Sequence, residues 1–264
     1  MLSFRTHGTH GRPVVVLHGG PGAPGSAWGL ARGLGTTFRV LEPFQRRADH
    51  RPLTVARHVE DLGAFIDAEL PGERPALVGH SWGAMLALAF GAAHPERARA
   101  IALVGCGTFD LEARSALMRT IDRRMTAAID AGLTAIQQGA DPDDALTNSG
   151  ALIAPLYTWD PLPPDPDAPA TQGDHRGHGE SWRDMLHQQE QGRYPSAFAT
   201  IRCPVLMLHG RFDPHPGAMT RDSLLPHLPQ LEYRELGGCG HEPWRERRAR
   251  EPFFGELRAW LAGA

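Results

Sequence analysis

Apolar residues along this chain alternate between two patterns. Short runs at residues 13–17 (PVVVL), 100–104 (AIALV) and 204–208 (PVLML) have no polar position among them, and 38–41 (FRVL) has only Arg39, which predicts strands buried on both faces, as in a parallel sheet. Leu77 and Val78 give the same signal just before a serine at position 81, residues 231–236 (LEYREL) add another strand, and LSFRTHG near the start reads as an edge strand. Between these runs the period changes. Val55, Val59, Leu62, Phe65, Ile66 and Leu70 are spaced for one helix face over residues 54–70, closed by Pro71-Gly72. Residues 84–90 (AMLALAF) are strong helix formers whose helix should end near His94-Pro95, and a last helix is predicted over residues 245–261. Strands alternating with helices predict a mostly parallel sheet flanked by helices.

The alternation stops between residues 107 and 199. Leu117, Ile121, Met125, Ile129, Leu133 and Ile136 recur every three or four positions, predicting helix over 111–138, and residues 146–157 continue that character. The next segment, DPLPPDPDAPATQGDHRGHGE, carries five prolines in its first ten residues and reads as a long surface loop or flap. The expected organisation is one core built from residues 1–106 and 200–264, with 107–199 inserted as a helical cap. No internal repeat interrupts it.

Composition narrows the function classes. With 27 Lys and Arg against 30 Asp and Glu, the formal charge of -3 offers no basic surface for nucleic acid or an anionic membrane. The run RERRAR at 245–250 is broken by Glu246 and reads as the solvated face of the closing helix. The first residues lack an apolar signal segment and no apolar stretch approaches the roughly 20 residues that span a bilayer, so a cytoplasmic protein acting on a small molecule or short peptide is expected. Cys106, Cys203 and Cys239 form no C-x-x-C pair and read as free thiols. No feature assigns an oligomeric state.

Three polar residues each follow an apolar strand: Ser81, Asp213 and His241. In a parallel sheet the carboxyl ends of the strands converge on one crevice, so residues distant in sequence can meet there. A serine hydroxyl becomes a nucleophile when a histidine takes its proton, and the histidine needs a carboxylate to fix its tautomer. Asp110, beyond the strand ending at Val104, is a rival for the carboxylate, but HGRFDP around Asp213 has the more regular strand-loop context. The oxyanion so created needs two N–H donors; Trp82 at the head of the helix and Gly20 in HGGPG (18–22) are the candidates. Neither phosphate-loop spacing is present. The chemistry needs no metal or organic cofactor.

Gly79-His80-Ser81-Trp82-Gly83 on a strand-turn-helix, with the order Ser, Asp, His, resembles the α/β-hydrolase fold and its nucleophile elbow. The resemblance spans essentially the whole chain, and HGGPG with S-W-G and HGRFDP looks like the proline iminopeptidase group within it. That group has a D-Q-R-G-x-G-x-S type segment where residues 42–47 here read EPFQRR, keeping the Gln45-Arg46 pair without the glycines. The resemblance implies acyl transfer through Ser81 on a small ester, lactone, amide or peptide. It also implies acidic cap residues holding a free amine, for which Glu180 and Glu190 are the candidates. A ligand-binding or signalling protein that keeps the triad, and a carbon-carbon bond hydrolase, are the alternatives.

Other chemistry-bearing residues have plainer readings. Asp174, His175, His178 and Glu180 have metal-ligand chemistry but lie in a glycine-rich stretch that nothing preorganises, so a solvated flap is expected. His18 should brace the HGGPG loop and His80 should pack beside the elbow. Tyr157, Trp159, Trp182, Met185 and Phe198 either line a pocket under the cap or form its core.

Overall fold

A computed structural model describes residues 2–139 and 141–264. Strands β1 (Phe4–His7), β2 (Pro13–Leu17), β3 (Arg39–Pro43), β4 (Ala76–His80), β5 (Ala100–Val104), β6 (Val205–Gly210) and β7 (Leu231–Leu236) form one seven-stranded sheet in the order β1-β3-β2-β4-β5-β6-β7. Only β1 runs antiparallel, pairing with β3 at the edge. The order reverses at β2, and β4, β5 and β6 lie side by side, with His80 opposite Val104. The loops leaving these three central strands therefore open on one edge of the sheet.

Both faces of the sheet are covered, as the unbroken apolar runs require. Val15 and Leu17 of β2 face one core with α2 (Val55–Glu69), α3 (Trp82–Ala93) and Leu224 of α8 (Gly217–Leu224). Val14 and Val16 face the other, with α1 (Trp28–Leu34) and α9 (Arg250–Gly263). Thr54 caps α2, its side chain accepting from Arg57 N–H, and α3 is apolar all round because neighbours cover every side. Truncating a fully buried side chain such as Phe65 to Ala would cost about 3–5 kcal/mol.

Between β5 and β6 lie α4 (Leu111–Arg124), α5 (Ala127–Gln137), α6 (Pro142–Tyr157) and α7 (His175–Glu190), then a 3-10 turn at Ser196–Thr200. The single helix expected over 111–138 is two. Met125 leaves helical geometry and Thr126 caps α5 by accepting from Ile129 N–H. The expected 160–180 flap is also corrected. Its proline-rich half is irregular, but α7 starts at His175, with the Asp174 carboxylate accepting from Gly177 N–H, so a cap and contacts to the core overcome the helix-weakening glycines.

The closing helix is the third difference. Residues 243–245 make a 3-10 turn and α9 begins at Arg250, so residues 246–249 lie outside it. Glu246 is not on a solvated face; it is extended and fully buried, bridging to Pro161. The three cysteines are free and buried. Among the described residues no helix is long and apolar enough to cross a membrane.

Candidate active site

Ser81 stands at the junction of β4 and α3 with φ 54° and ψ -116°, the one non-glycine residue with positive φ among those described. Such a backbone costs on the order of 1–3 kcal/mol and persists only where its surroundings enforce it. They do so by close approach. A Cβ on Gly79 would lie 2.2 Å from Gly83 O, and one on Gly83 would lie 2.2 Å from Leu17 O, so the glycines on either side let the chain double back under the serine. Ser81 N–H donates to Val104 O at 2.9 Å, which holds the corner beside β5.

His241 reaches the same place from the loop after β7. Its ring lies against Gly105, directly after β5, where an added Cβ would come within 2.9 Å of Nδ1. Nδ1–H donates to Asp213 Oδ2 at 2.7 Å, a bond that leaves Nε2 as the unprotonated nitrogen of a neutral imidazole. Asp110 is elsewhere: its carboxylate caps α4 by accepting from Ala113 N–H at 2.7 Å. The loops that carry Asp213 and His241 are locked together, Phe212 N–H donating to Cys239 O at 2.8 Å and Gly210 lying where a Cβ would meet Gly240 O at 2.1 Å.

Asp213 is surrounded by imidazoles. Oδ1 accepts from both the backbone N–H and the Nδ1–H of His215, each at 2.9 Å, and His209 Nε2 lies 3.2 Å from Oδ2 while donating to His215 O. Burial pushes the Asp213 carboxyl up, yet the charges of His241, His209 and His215 and the His215 hydrogen bond outweigh it and hold the group well below the usual carboxylate range. His241 feels the converse: burial pushes it down, but the Asp213 charge and hydrogen bond raise it above 6.5. His80, 4.7 Å from the His241 ring, is kept neutral by burial and then by the His241 charge. Asp213, His215 and His241 also place three ligand-type atoms within 4.8 Å of one another. Both imidazole Nδ1 atoms are spent on the carboxylate, so the cluster is a closed hydrogen-bond network.

The HGGPG loop lies against this corner. A Cβ on Gly19 would stand 3.3 Å from Ser81 Cβ, and Gly20 has φ 113°, a backbone open to glycine. Trp82 N–H heads α3, one of the donors a helix start leaves without an intrahelical partner. His18 braces the loop as expected, its Nδ1–H donating to Gly19 O at 2.9 Å while Nε2 accepts from Gln45 N–H at 3.0 Å. Gln45 also donates to His18 O and accepts from Trp82 Nε1–H, so it links the two candidate oxyanion segments.

Three acidic residues of the helical insertion are committed to structure. Asp174 accepts from Ala48 N–H, Glu180 from Leu53 N–H and Asp184 from Val55 N–H, at 2.7 to 2.8 Å, while His178 donates to Pro21 O. These bonds dock α7 on the HGGPG loop and on the segment that leads from β3 into α2, so the residues are neither a metal cluster nor a solvated flap. Glu180 is thus occupied and Glu190 is exposed on the far end of α7. Of the five pocket candidates, Met185 and Phe198 are fully buried, Trp182 packs edge-on against Trp82, Tyr157 lies 5.5 Å from the His241 ring, and Trp159 is exposed beside Phe212. Sequence reading overlooked His209 and His215, although HGRFDPH places both within four residues of Asp213. It also overlooked Gln45 as a link and Glu246 as a buried group.

A mostly parallel sheet whose central strand ends in a strained serine, with an imidazole and a carboxylate delivered by later strands, defines the α/β-hydrolase class. The profile of the alpha/beta hydrolase family matches residues 14–253, and the chain belongs to that family. It is 24% identical over 258 residues to a cis-3-alkyl-4-alkyloxetan-2-one decarboxylase of Shewanella oneidensis, covering 88% of this chain and 76% of that one. A stretch of 103 residues is 40% identical to the proline iminopeptidase of Neisseria meningitidis, covering 36% of this chain and 33% of that enzyme. Among solved structures, an esterase from Thermogutta terrifontis superposes with a TM-score of 0.66 at 21% identity, over 99% of this chain and 93% of that one.

Proposed function

We propose that the protein is a serine hydrolase acting on a small ester or lactone through an acyl-enzyme on Ser81. The observation that carries this reading is the 2.7 Å bond from His241 Nδ1–H to Asp213 Oδ2 at the sheet edge where Ser81 is held in a strained, glycine-flanked turn. His241 Nε2 takes the Ser81 proton as Oγ attacks the carbonyl carbon, and the oxyanion is held by Gly20 and Trp82 N–H groups. The tetrahedral adduct collapses, the alkoxide leaves with the proton from His241, and the acyl group stays on Oγ. Water, deprotonated by His241, then attacks the ester; expulsion of Oγ with its proton restored releases the acid. Asp213 remains ionised throughout, orienting the imidazole and stabilising its charged form.

An ester is favoured over a peptide with a free amine because Asp174, Glu180 and Asp184 accept backbone N–H groups and Asp110 caps α4, and of the two carboxylates named for an ammonium Glu180 is engaged while Glu190 sits exposed at the far end of α7. The partial likeness to a proline iminopeptidase keeps the aminopeptidase reading worth testing. Hydrolysis of p-nitrophenyl esters of increasing acyl length, run beside prolyl and alanyl p-nitroanilides with wild type and Ser81→Ala, decides it. Ester turnover that disappears with Ser81 is the expected result. Anilide turnover that disappears with Ser81 makes the protein an aminopeptidase, turnover retained by Ser81→Ala removes the nucleophile assignment, and silence of wild type on both series favours the ligand-binding alternative.

A further inference from the structure

We propose that Glu246 is a positioning residue that fixes the His241 loop against the C-terminal end of α6, so that the covering helical segment and the base move as one unit. The inference rests on the serine-hydrolase reading above. Glu246 is fully buried, and no Lys, Arg or His forms an ion pair with it among the described residues. Its charge is held by three backbone donors. Oε1 accepts from Trp159 N–H at 2.8 Å and from Gly240 N–H at 2.9 Å, and Oε2 accepts from Asp160 N–H at 2.7 Å. Gly240 immediately precedes the base, and Trp159 and Asp160 lie just past Thr158, which ends α6. One carboxylate therefore staples together two segments remote in sequence.

Neighbouring bonds extend the staple to both catalytic loops. His241 N–H donates to Tyr157 O at 2.8 Å, and Gly240 fits because a Cβ there would lie 2.1 Å from that same carbonyl oxygen. On the acid side, Arg124 of α4 donates to Leu156 O at 2.5 Å and to Phe212 O at 2.7 Å, with its guanidinium 3.7 Å above the Phe212 ring. The residues just before Asp213 and His241 are thus tied to the same five-residue stretch, 156–160. An anion gathers its amides while a cation gathers its carbonyls.

The chemistry selects a carboxylate here. Three N–H groups converge on one side chain, and only a carboxylate offers acceptors on both oxygens; a Gln amide would turn an NH2 toward at least one N–H donor and push the loop away. Displacing the base by a fraction of an ångström has a large effect on rate, because proton transfer from Ser81 depends on its position. Substrate binding, which depends on other residues, changes little.

The test compares wild type, Glu246→Gln and Glu246→Asp with Leu261→Ala, a buried truncation in α9 that destabilises without touching the loops. Readouts are thermal midpoint, ester kcat and KM, the rate of Ser81 labelling by a fluorophosphonate, and the downfield proton resonance of His241 Nδ1–H, assigned by its loss in Asp213→Asn together with its persistence in His215→Ala, since His215 Nδ1–H shares the carboxylate. Glu246→Gln should lower kcat and labelling roughly ten- to hundred-fold with KM little changed, and should shift or broaden the resonance. Glu246→Asp, which keeps both acceptors on a shorter stem, should recover part of the rate, and Leu261→Ala should keep kcat despite a lower midpoint. Wild-type kcat, labelling and resonance in a destabilised Glu246→Gln would overturn the proposal, as would losses that merely follow the midpoint in all variants. If Ser81 of the wild type does not label, the hydrolase reading fails instead; the resonance, which does not need Ser81, still decides whether Glu246 positions the imidazole.

Discussion

His215 lies stacked on His241, with ring centroids 4.7 Å apart and planes 17° from parallel, and the two imidazoles donate their Nδ1–H groups to opposite oxygens of one Asp213 carboxylate. The buried acid is therefore met by imidazole N–H donors, and among the described residues no guanidinium or ammonium makes a hydrogen bond to it. Replacing His215 by Ala leaves its backbone N–H on Oδ1 and removes one charge-assisted hydrogen bond, worth about 1.5–3 kcal/mol. We expect ester kcat/KM to fall by roughly ten-fold, far less than for His241→Ala. Equal losses in the two variants, measured with the same ester, would mean that His215 does more than support the acid.

The backbone at Ser81 separates activity from stability. Ser81→Ala keeps a Cβ at φ 54° and should unfold at the wild-type midpoint. Ser81→Gly removes the Cβ and should be more stable than Ser81→Ala by about 1 kcal/mol, the strain relieved less the added freedom of the unfolded chain. Both should be inactive. Urea unfolding of the three proteins checks the order.

The acid limb of activity should lie above the ordinary histidine range. Burial lowers the His241 pKa, but the Asp213 carboxylate raises it more, so the net value is above 6.5. Catalysis needs the neutral imidazole, so kcat/KM falls as pH drops through that raised value. His80, His209, His215 and Tyr157 also face this group, and burial keeps the first two neutral and lifts the Tyr157 phenol to about 12. In Asp213→Asn the limb should move to lower pH while the plateau drops by orders of magnitude. A pH profile of kcat/KM from 5 to 9 in both proteins reads this directly; an unmoved limb would assign it to another group.

Stability should decline in a separate window. Burial lowers His18 and His58 to about 4, whereas both titrate near 6.5 in the unfolded chain. Between those values the unfolded chain binds more protons, so stability is full above about pH 6.5 and is lost as pH falls toward 4, by on the order of 3 kcal/mol per group. His58→Gln, which can keep a hydrogen bond to Ser181, should flatten this slope by about one proton. Unfolding free energies at pH 7, 6 and 5 in the two proteins provide the comparison.

The strand runs and the elbow were legible because each is dictated locally. A strand covered on both faces must be apolar throughout, as PVVVL and AIALV are, and a serine at so tight a corner needs Gly79 and Gly83, whose absent Cβ atoms are visible in the sequence itself. The order Ser81, Asp213, His241 then followed from which strands end in polar loops. Three things were decided only in three dimensions. Helix α7 forms across a glycine-rich stretch because Asp174 caps it and Glu180 and Asp184 bond to a distant loop. His215 and His209 become partners of Asp213 because a sharp loop folds HGRFDPH back on its own carboxylate. Glu246, in a basic run that reads as solvated surface, turns inward because the ends of β7 and α6 deliver three unpaired N–H groups to one point. Local periodicity records which face of an element is buried, whereas the partner of a buried charge lies wherever the chain returns, which only the tertiary fold specifies.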